Sequence, residues 1–158
     1  MADTMLKDVS DYKKTIMDAL MDDTNILTCL LGENYNQEAV SDIVYSQIFP
    51  YLYADETQTS TKTYIGIEVD PNASSGTIKD SKLIIWEYCH KDIMGYSKNG
   101  YIGTRVDFLA DKIDNVIREQ NLGIGKPEFI SAKYFFPISK YYGRVLLYNI
   151  PDFKIKDK

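Results

Sequence analysis

The sequence predicts a single α+β domain over residues 1–153, with a mixed or mainly antiparallel four-stranded sheet backed by helices. The length of 158 residues fits one domain that buries its own core. Two segments carry apolar residues at helical spacing, and others alternate with the two-residue period of strands. The predicted order is α-α-β-β-α-β-β, with a further short helix after the second, and residues 154–158 form a charged C-terminal tail.

The N-terminal part of the chain is predicted to be helical. A first helix over residues 4–21 is indicated by one apolar stripe at helical spacing, formed by Met5, Val9, Tyr12, Ile16, Ala19 and Leu20. A short second helix is capped by Thr24 or Asn25 and ends at Gly32. A third helix is expected over residues 37–48.

Four strands are predicted from alternation and turn signals. Thr63–Val69 places its apolar residues on one face. Lys82–His90 is apolar on both faces, which is typical of a central strand or of one covered by a partner. The turn-rich segment 70–76 joins these two strands as a hairpin with a long loop. Phe129–Phe136 and Arg144–Ile150 are expected to pair as the last two strands.

The clearest helical pattern lies before the last two strands. Thr104 is a candidate N-cap, since Asp107 follows it by three residues. The segment Asn121–Gly125 ends this helix, and Gly95–Gly103 before it is predicted to be a loop rich in glycine and tyrosine. The apolar positions of the helix are Val106, Leu109, Ala110, Ile113, Val116 and Ile117.

Residues that could perform catalysis are few. His90 is the only histidine, and its neighbour Cys89 lies on the opposite face of a strand, so the two cannot form a nucleophile and its base. Cys29 and Cys89 have apolar or aromatic neighbours and are expected to be buried, reduced thiols. These three residues cannot complete a tetrahedral zinc site without carboxylates. We therefore expect no catalytic residues, no cofactor and no metal.

The charge and composition favour binding to other proteins. The net charge of −5 argues against a nucleic-acid groove, because phosphate binding requires clustered lysine and arginine. No apolar run approaches the roughly 18 residues of a membrane span, and we expect no secretory signal. Tyrosine, with 13 copies, has an apolar body and a polar tip. It suits surfaces that a partner covers, although strands also use it for half-buried packing.

Two arginines occupy positions that need an explanation. Arg105 follows the predicted cap, where the helix dipole disfavours a cation by about 0.3–1 kcal/mol. It is therefore expected to bind a carboxylate elsewhere, either on the sheet or on a neighbouring subunit. Arg144 at a strand start has the same two alternatives. The predicted interface contains six residues, namely Trp86, Tyr96, Tyr101, Arg105, Asp107 and Arg144.

Three segments in this order resemble a known family. They are Cys89–Met94 at a strand end, Gly103–Ala110 at a helix start and Tyr141–Tyr148 on the last strand, and the strand Lys62–Val69 fits as well. Together they resemble the neck proteins of tailed bacteriophages, above all tail-terminator and head–tail completion proteins. The resemblance spans about residues 1–150 and consists of element order with short, diffuse motifs.

The resemblance implies a subunit that closes into a ring, commonly a hexamer. The ring terminates the tail tube and joins it to the portal or connector, without catalysis, a cofactor or a membrane. DNA would pass through an acidic lumen without sequence-specific binding. The protein would be made in the bacterial cytoplasm and located in the virion. Within this interpretation the loops 70–80 and 91–103 are expected to reach neighbouring subunits, with Arg105 beside that interface.

Two alternative functions stay open at this point. A head-closure or connector-adaptor subunit shares every feature above with a tail terminator, and the sequence does not separate them. A small cytosolic protein-binding regulator would instead be monomeric or dimeric and absent from phage particles.

Overall fold

The computed structural model describes residues 5–71, 73–74, 77–78, 81–119, 122 and 125–150. The helices of this part of the chain are α1 (Met5–Met21), α2 (Thr24–Leu31), α3 (Gln37–Ser41) and α4 (Arg105–Glu119). The strands are β1 (Ile48–Phe49), β2 (Thr63–Asp70), β3 (Ala73–Ser74), β4 (Thr77–Ile78), β5 (Ser81–His90), β6 (Gly95–Lys98), β7 (Tyr101–Thr104), β8 (Glu128–Phe135) and β9 (Tyr141–Ile150). The predicted tail, residues 154–158, lies outside the described residues.

The fold is α+β, with a mixed five-stranded sheet in the order β1-β2-β5-β9-β8. The two predicted hairpin pairs are confirmed, since β2 pairs antiparallel with β5 and β8 pairs antiparallel with β9. β5 lies in the centre, as its apolar character on both faces predicted. The sheet has a fifth strand because β1 pairs in parallel with β2, through Ile48 and Ile65.

The third predicted helix is too long by several residues. α3 ends at Ser41, and the chain then turns and enters β1. Within that turn Tyr45 adopts φ +65°, a left-handed conformation that a helix cannot contain. Residues 42–48, which were predicted to continue this helix, therefore belong to a turn and to the start of a short edge strand.

The segment predicted as a loop over residues 95–103 is instead a β-hairpin. β6 and β7 pair antiparallel in a separate two-stranded sheet, with Lys98 opposite Tyr101. The connecting residues Asn99 and Gly100 both have positive φ, which is the conformation of the tight turns that suit hairpins. The predicted cap of the following helix is confirmed, because the Asp107 N–H donates to Thr104 Oγ1 at 3.1 Å.

One face of the sheet carries the helices and the core. Apolar side chains of α1, α2 and α4 pack there against β2, β5 and β9, and Ile16, Ile67, Ile85 and Ile113 are among those fully buried. The opposite face is covered in part by the segment 50–62, in which the Tyr53 and Ser60 carbonyls accept hydrogen bonds from the hydroxyls of Tyr88 and Tyr141. These contacts leave the rest of that face half-buried, including Ile84, Trp86, Val145 and Leu147.

Candidate interaction surface

Arg105 links the start of α4 to the end of α2. Its Nε donates to the Ile93 carbonyl at 2.8 Å, and its Nη1 donates to the Cys29 carbonyl at 3.3 Å. The guanidinium lies 4.6 Å from the centroid of the Tyr96 ring. Because Cys29 belongs to the last turn of α2, the cation lies where that helix dipole is negative. Within the described residues, Arg105 therefore contacts two backbone carbonyls and an aromatic ring instead of the carboxylate that was expected.

Arg144 and Asp107 form an ion pair between β9 and α4. Arg144 Nε donates to Asp107 Oδ1 at 2.5 Å, and this hydrogen bond raises the pKa of Arg144. Arg144 Nη1 also donates to the Ala132 carbonyl at 3.0 Å. The side chain of Arg144 therefore joins α4, β8 and β9. Of the two alternatives for Arg144, a partner in the same chain or one in a neighbouring subunit, the structure shows the first.

Glu87 is a fully buried carboxyl group beneath this ion pair. Its Oε2 accepts the N–H of Arg144 at 3.1 Å, and its Oε1 has no hydrogen-bond partner within the described part of the chain. Burial raises the pKa of Glu87 well above its ordinary value, although the hydrogen bond from Arg144 opposes the shift. Burial therefore favours the protonated, neutral form of this carboxyl group.

The three aromatic residues of the predicted interface lie in two separate places. Tyr96 and Tyr101 pack the β6–β7 hairpin against Phe108 of α4, with ring centroids 4.8 and 5.1 Å from that of Phe108. Trp86 is half-buried on the face of the sheet opposite the helices. The structure therefore brings Tyr96 together with Arg105, and Asp107 with Arg144, but does not join all six residues in one surface. Contact of any of them with a partner stays a prediction.

The cysteine and histidine side chains are engaged in local packing. Both thiols are free and buried, as predicted, and burial raises the pKa of Cys29 to about 11 and that of Cys89 to about 12. His90 Nδ1 accepts the N–H of Asp92 at 3.0 Å, while Cys89 Sγ contacts Met94 Sδ at 3.6 Å. No cluster of three potential metal ligands, and no helix long and apolar enough to cross a membrane, occurs among the residues that were described.

Exposed large apolar side chains form three groups in the described part of the chain. The first, which we name the edge patch, lies on and just after β8 and contains Phe129, Ile130, Tyr134 and Phe136, exposed by 43–69%. The second, the turn patch, contains Tyr45, Tyr51 and Leu52. The third is a single residue, Ile102 on the β6–β7 hairpin, which is 85% exposed.

The edge patch and the turn patch lie at opposite edges of the five-stranded sheet. β8 is the last strand at one end, and Tyr45 and Tyr51 flank β1 at the other, with their ring centroids 6.4 Å apart. At the β8 edge, Phe136 lies 6.0 Å from Tyr134 and 5.6 Å from Tyr142, so these three rings form one cluster. Scattered apolar residues are normal on a protein surface, but clusters of this kind mark contact sites.

The residues of the edge patch and the turn patch were not among the predicted interface residues, whereas Ile102 lies in the segment 91–103 that was expected to reach a neighbouring subunit. A usable signal was present, because Tyr134, Phe135 and Phe136 are consecutive aromatic residues at the end of a strand. Consecutive residues of a strand point to opposite faces, so a run of this kind cannot be buried by one layer of helices. The turn patch gave no comparable signal, since it depends on the unexpected turn before β1.

These features define the class of the chain as an α+β domain with several exposed groups of apolar side chains. Residues 16–150 match the YomW family, and the chain belongs to that family. The family name is of the type given to proteins of SPbeta-like prophages, which indicates a phage-associated family. Neither the curated proteins nor the solved structures contain a match to the chain.

Proposed function

We propose that this protein is a structural subunit of a tailed-phage neck. Its copies form a ring that terminates the tail tube and joins it to the head connector. The observation that carries the proposal is the presence of three separate exposed apolar groups, the edge patch, the turn patch and Ile102. Two further points support it, the phage-associated family and the resemblance of the motifs to neck proteins.

The number and placement of these groups suit a ring subunit. Each copy in a ring contacts one neighbour through one surface and the other neighbour through a different surface, since the interface is head-to-tail. A third surface is needed for the tube or the connector. The edge patch and the turn patch lie at opposite edges of one sheet, and Ile102 lies on a separate two-stranded sheet, so the three contacts would use different strands. A monomeric regulator requires a single contact surface.

The turn patch offers a direct test in phage particles. Tyr51→Glu introduces a charge into an exposed apolar cluster and is expected to prevent incorporation of the chain and joining of heads to tails. Thr59→Glu adds the same charge at an exposed position outside the three groups and is the matched control. Incorporation is measured by mass spectrometry of purified particles, and joining by electron microscopy.

Two results would contradict this proposal. One is the absence of the unaltered chain from purified particles. The other is equal incorporation and joining with both variants in a phage that lacks the native gene copy. Retention of the chain on isolated heads, and its absence from isolated tails, would instead assign it to head closure.

A further inference from the structure

The outer edge of β8 is the open end of the five-stranded sheet. β8 pairs with β9 on one side, and no described strand pairs with its other side. The β1 end is closed differently, since the Tyr45 N–H donates to the Ile48 carbonyl at 2.8 Å and Val44 forms a bridge with Ile48. An unpaired strand edge is a template on which another strand can add.

The side chains of β8 do not protect this edge from association. Edge strands of monomeric proteins are usually shielded by charges, prolines or bulges. β8 has a bulge beside Ile130 and one outward lysine, Lys133, but Phe129, Ile130 and Tyr134 remain exposed. Beyond the bulge, residues 131–135 pair with β9 in regular register, so this part of β8 has the regular extended backbone on which a further strand can add.

The β6–β7 hairpin is a strand pair suited to this edge. Tyr96 and Tyr101 pack one side of the hairpin against Phe108. The side chain of Ile102 is 85% exposed. The two strands form a sheet of their own, so their outer edges have no strand partner among the residues described. A two-stranded ribbon is marginally stable, and a third strand stabilises it.

Charge also matches the hairpin to β8. Glu128 is the first residue of β8, and Lys98 is the last residue of β6. Neither of them forms an ion pair within the part of the chain that the structure describes. Opposite charges on adjacent strands stabilise their pairing, whereas like charges oppose it.

We infer that the β6–β7 hairpin of one copy adds to the outer edge of β8 of a second copy, with Ile102 packed on the edge patch. The inference rests on the proposed ring and names the contact between its subunits. Because the hairpin and β8 are different surfaces, each copy donates one and accepts the other. Such a head-to-tail contact closes into a ring when the rotation per subunit allows it.

Two variants that each remove one side of the contact test the inference. Ile102→Asp alters the hairpin, and Phe136→Glu alters the edge patch, both at exposed positions. Each variant alone is expected to be monomeric by native mass spectrometry under conditions in which the unaltered chain assembles, with the phage's tail-tube protein added if assembly requires it. An equimolar mixture is expected to give a heterodimer and nothing larger, since one hairpin and one β8 edge remain intact. Thr59→Glu, at an exposed position outside the three groups, is the matched control and is expected to keep the ring.

The possible results separate this inference from the proposed ring. A closed ring formed by Ile102→Asp would overturn the hairpin contact and leave the ring proposal standing. A dimer formed by Ile102→Asp, but not by Phe136→Glu, would show twofold β8–β8 pairing and overturn both. Failure of the unaltered chain to associate, even with the tube protein, would also overturn both. Circular dichroism melting curves that match the unaltered chain establish that each variant is folded.

Discussion

Arg144 on β9 and Asp107 in the first turn of α4 form an ion pair that joins the sheet to the helix. Asp107 also lies where the positive end of the α4 dipole stabilises a negative charge. Both side chains are partly exposed, by 29% and 42%, so water screens the pair and limits its contribution.

Replacement of Asp107 with asparagine is expected to have a small effect that depends on salt. Asp107→Asn removes the charge and keeps the shape, and it should lower the free energy of unfolding by about 0.5–1 kcal/mol. Urea denaturation at low and high salt measures this difference. The loss should shrink in about 1 M salt, where the Debye length is about 3 Å. An equal loss at both salt concentrations would show that the contribution is not electrostatic.

Glu87→Gln is expected to change how stability depends on pH. The pKa of Glu87 is raised in the folded state by burial, so the folded chain keeps a proton that the unfolded chain releases above its ordinary pKa of 4.5. The stability of the unaltered protein relative to Glu87→Gln should therefore fall as pH rises above that value, by up to about 1.4 kcal/mol per pH unit. The fall ends at the raised pKa. Urea denaturation of both proteins from pH 5 to pH 8 measures it, and a constant difference would contradict a raised pKa.

Arg105→Lys is expected to destabilise the fold although it preserves the charge. A lysine cannot donate from a planar fork to the carbonyls of Ile93 and Cys29 while it lies over Tyr96. The expected loss is about 1–3 kcal/mol in the free energy of unfolding. Lys14→Met is the control, since Lys14 forms an exposed pair with Asp18 and its loss should be much smaller. Equal effects of the two substitutions would show that Arg105 does not stabilise the end of α2.

Gly143→Ala is expected to prevent folding or to lower the melting temperature strongly. A Cβ atom at this position would lie 2.6 Å from Tyr88 Cα and still closer to the Glu87 carbonyl oxygen, both on the adjacent strand. The backbone cannot yield there without separating β5 from β9. Gly95→Ala is the matched control, because nothing lies within 4 Å of its Cβ. Circular dichroism melting curves compare the two, and a tolerated Gly143→Ala would contradict the close approach of the strands.

Long periodic segments made much of the fold predictable from the sequence. The stripe of α1, the cap and stripe of α4 and the pairing of β2 with β5 follow from local patterns that tertiary packing did not override. The β6–β7 hairpin was missed because its glycines resemble a loop, and its stability depends on Tyr96 and Tyr101 packing against a later helix. β1 was missed because two residues carry no period.

The contacts of the candidate site were less predictable than the fold. The unusual position of Arg105 indicated a partner outside its helix, but the partner is the end of α2, 76 residues away in the sequence. Glu87 shares the buried face of β5 with Leu83 and Ile85. Its hydrogen bond from Arg144, however, depends on the pairing of β5 with β9, which the sequence did not indicate. Exposure of the edge patch follows from the position of β8 at the end of the sheet, which is a property of the strand order.

The most direct test of the ring proposal is a cryo-electron microscopy reconstruction of the neck of particles that contain this chain. We expect a single closed ring of its copies between the tail tube and the head connector, with neighbouring copies in head-to-tail contact. A neck that is complete without the chain, in particles from which mass spectrometry also fails to detect it, would show that the protein is not a neck subunit.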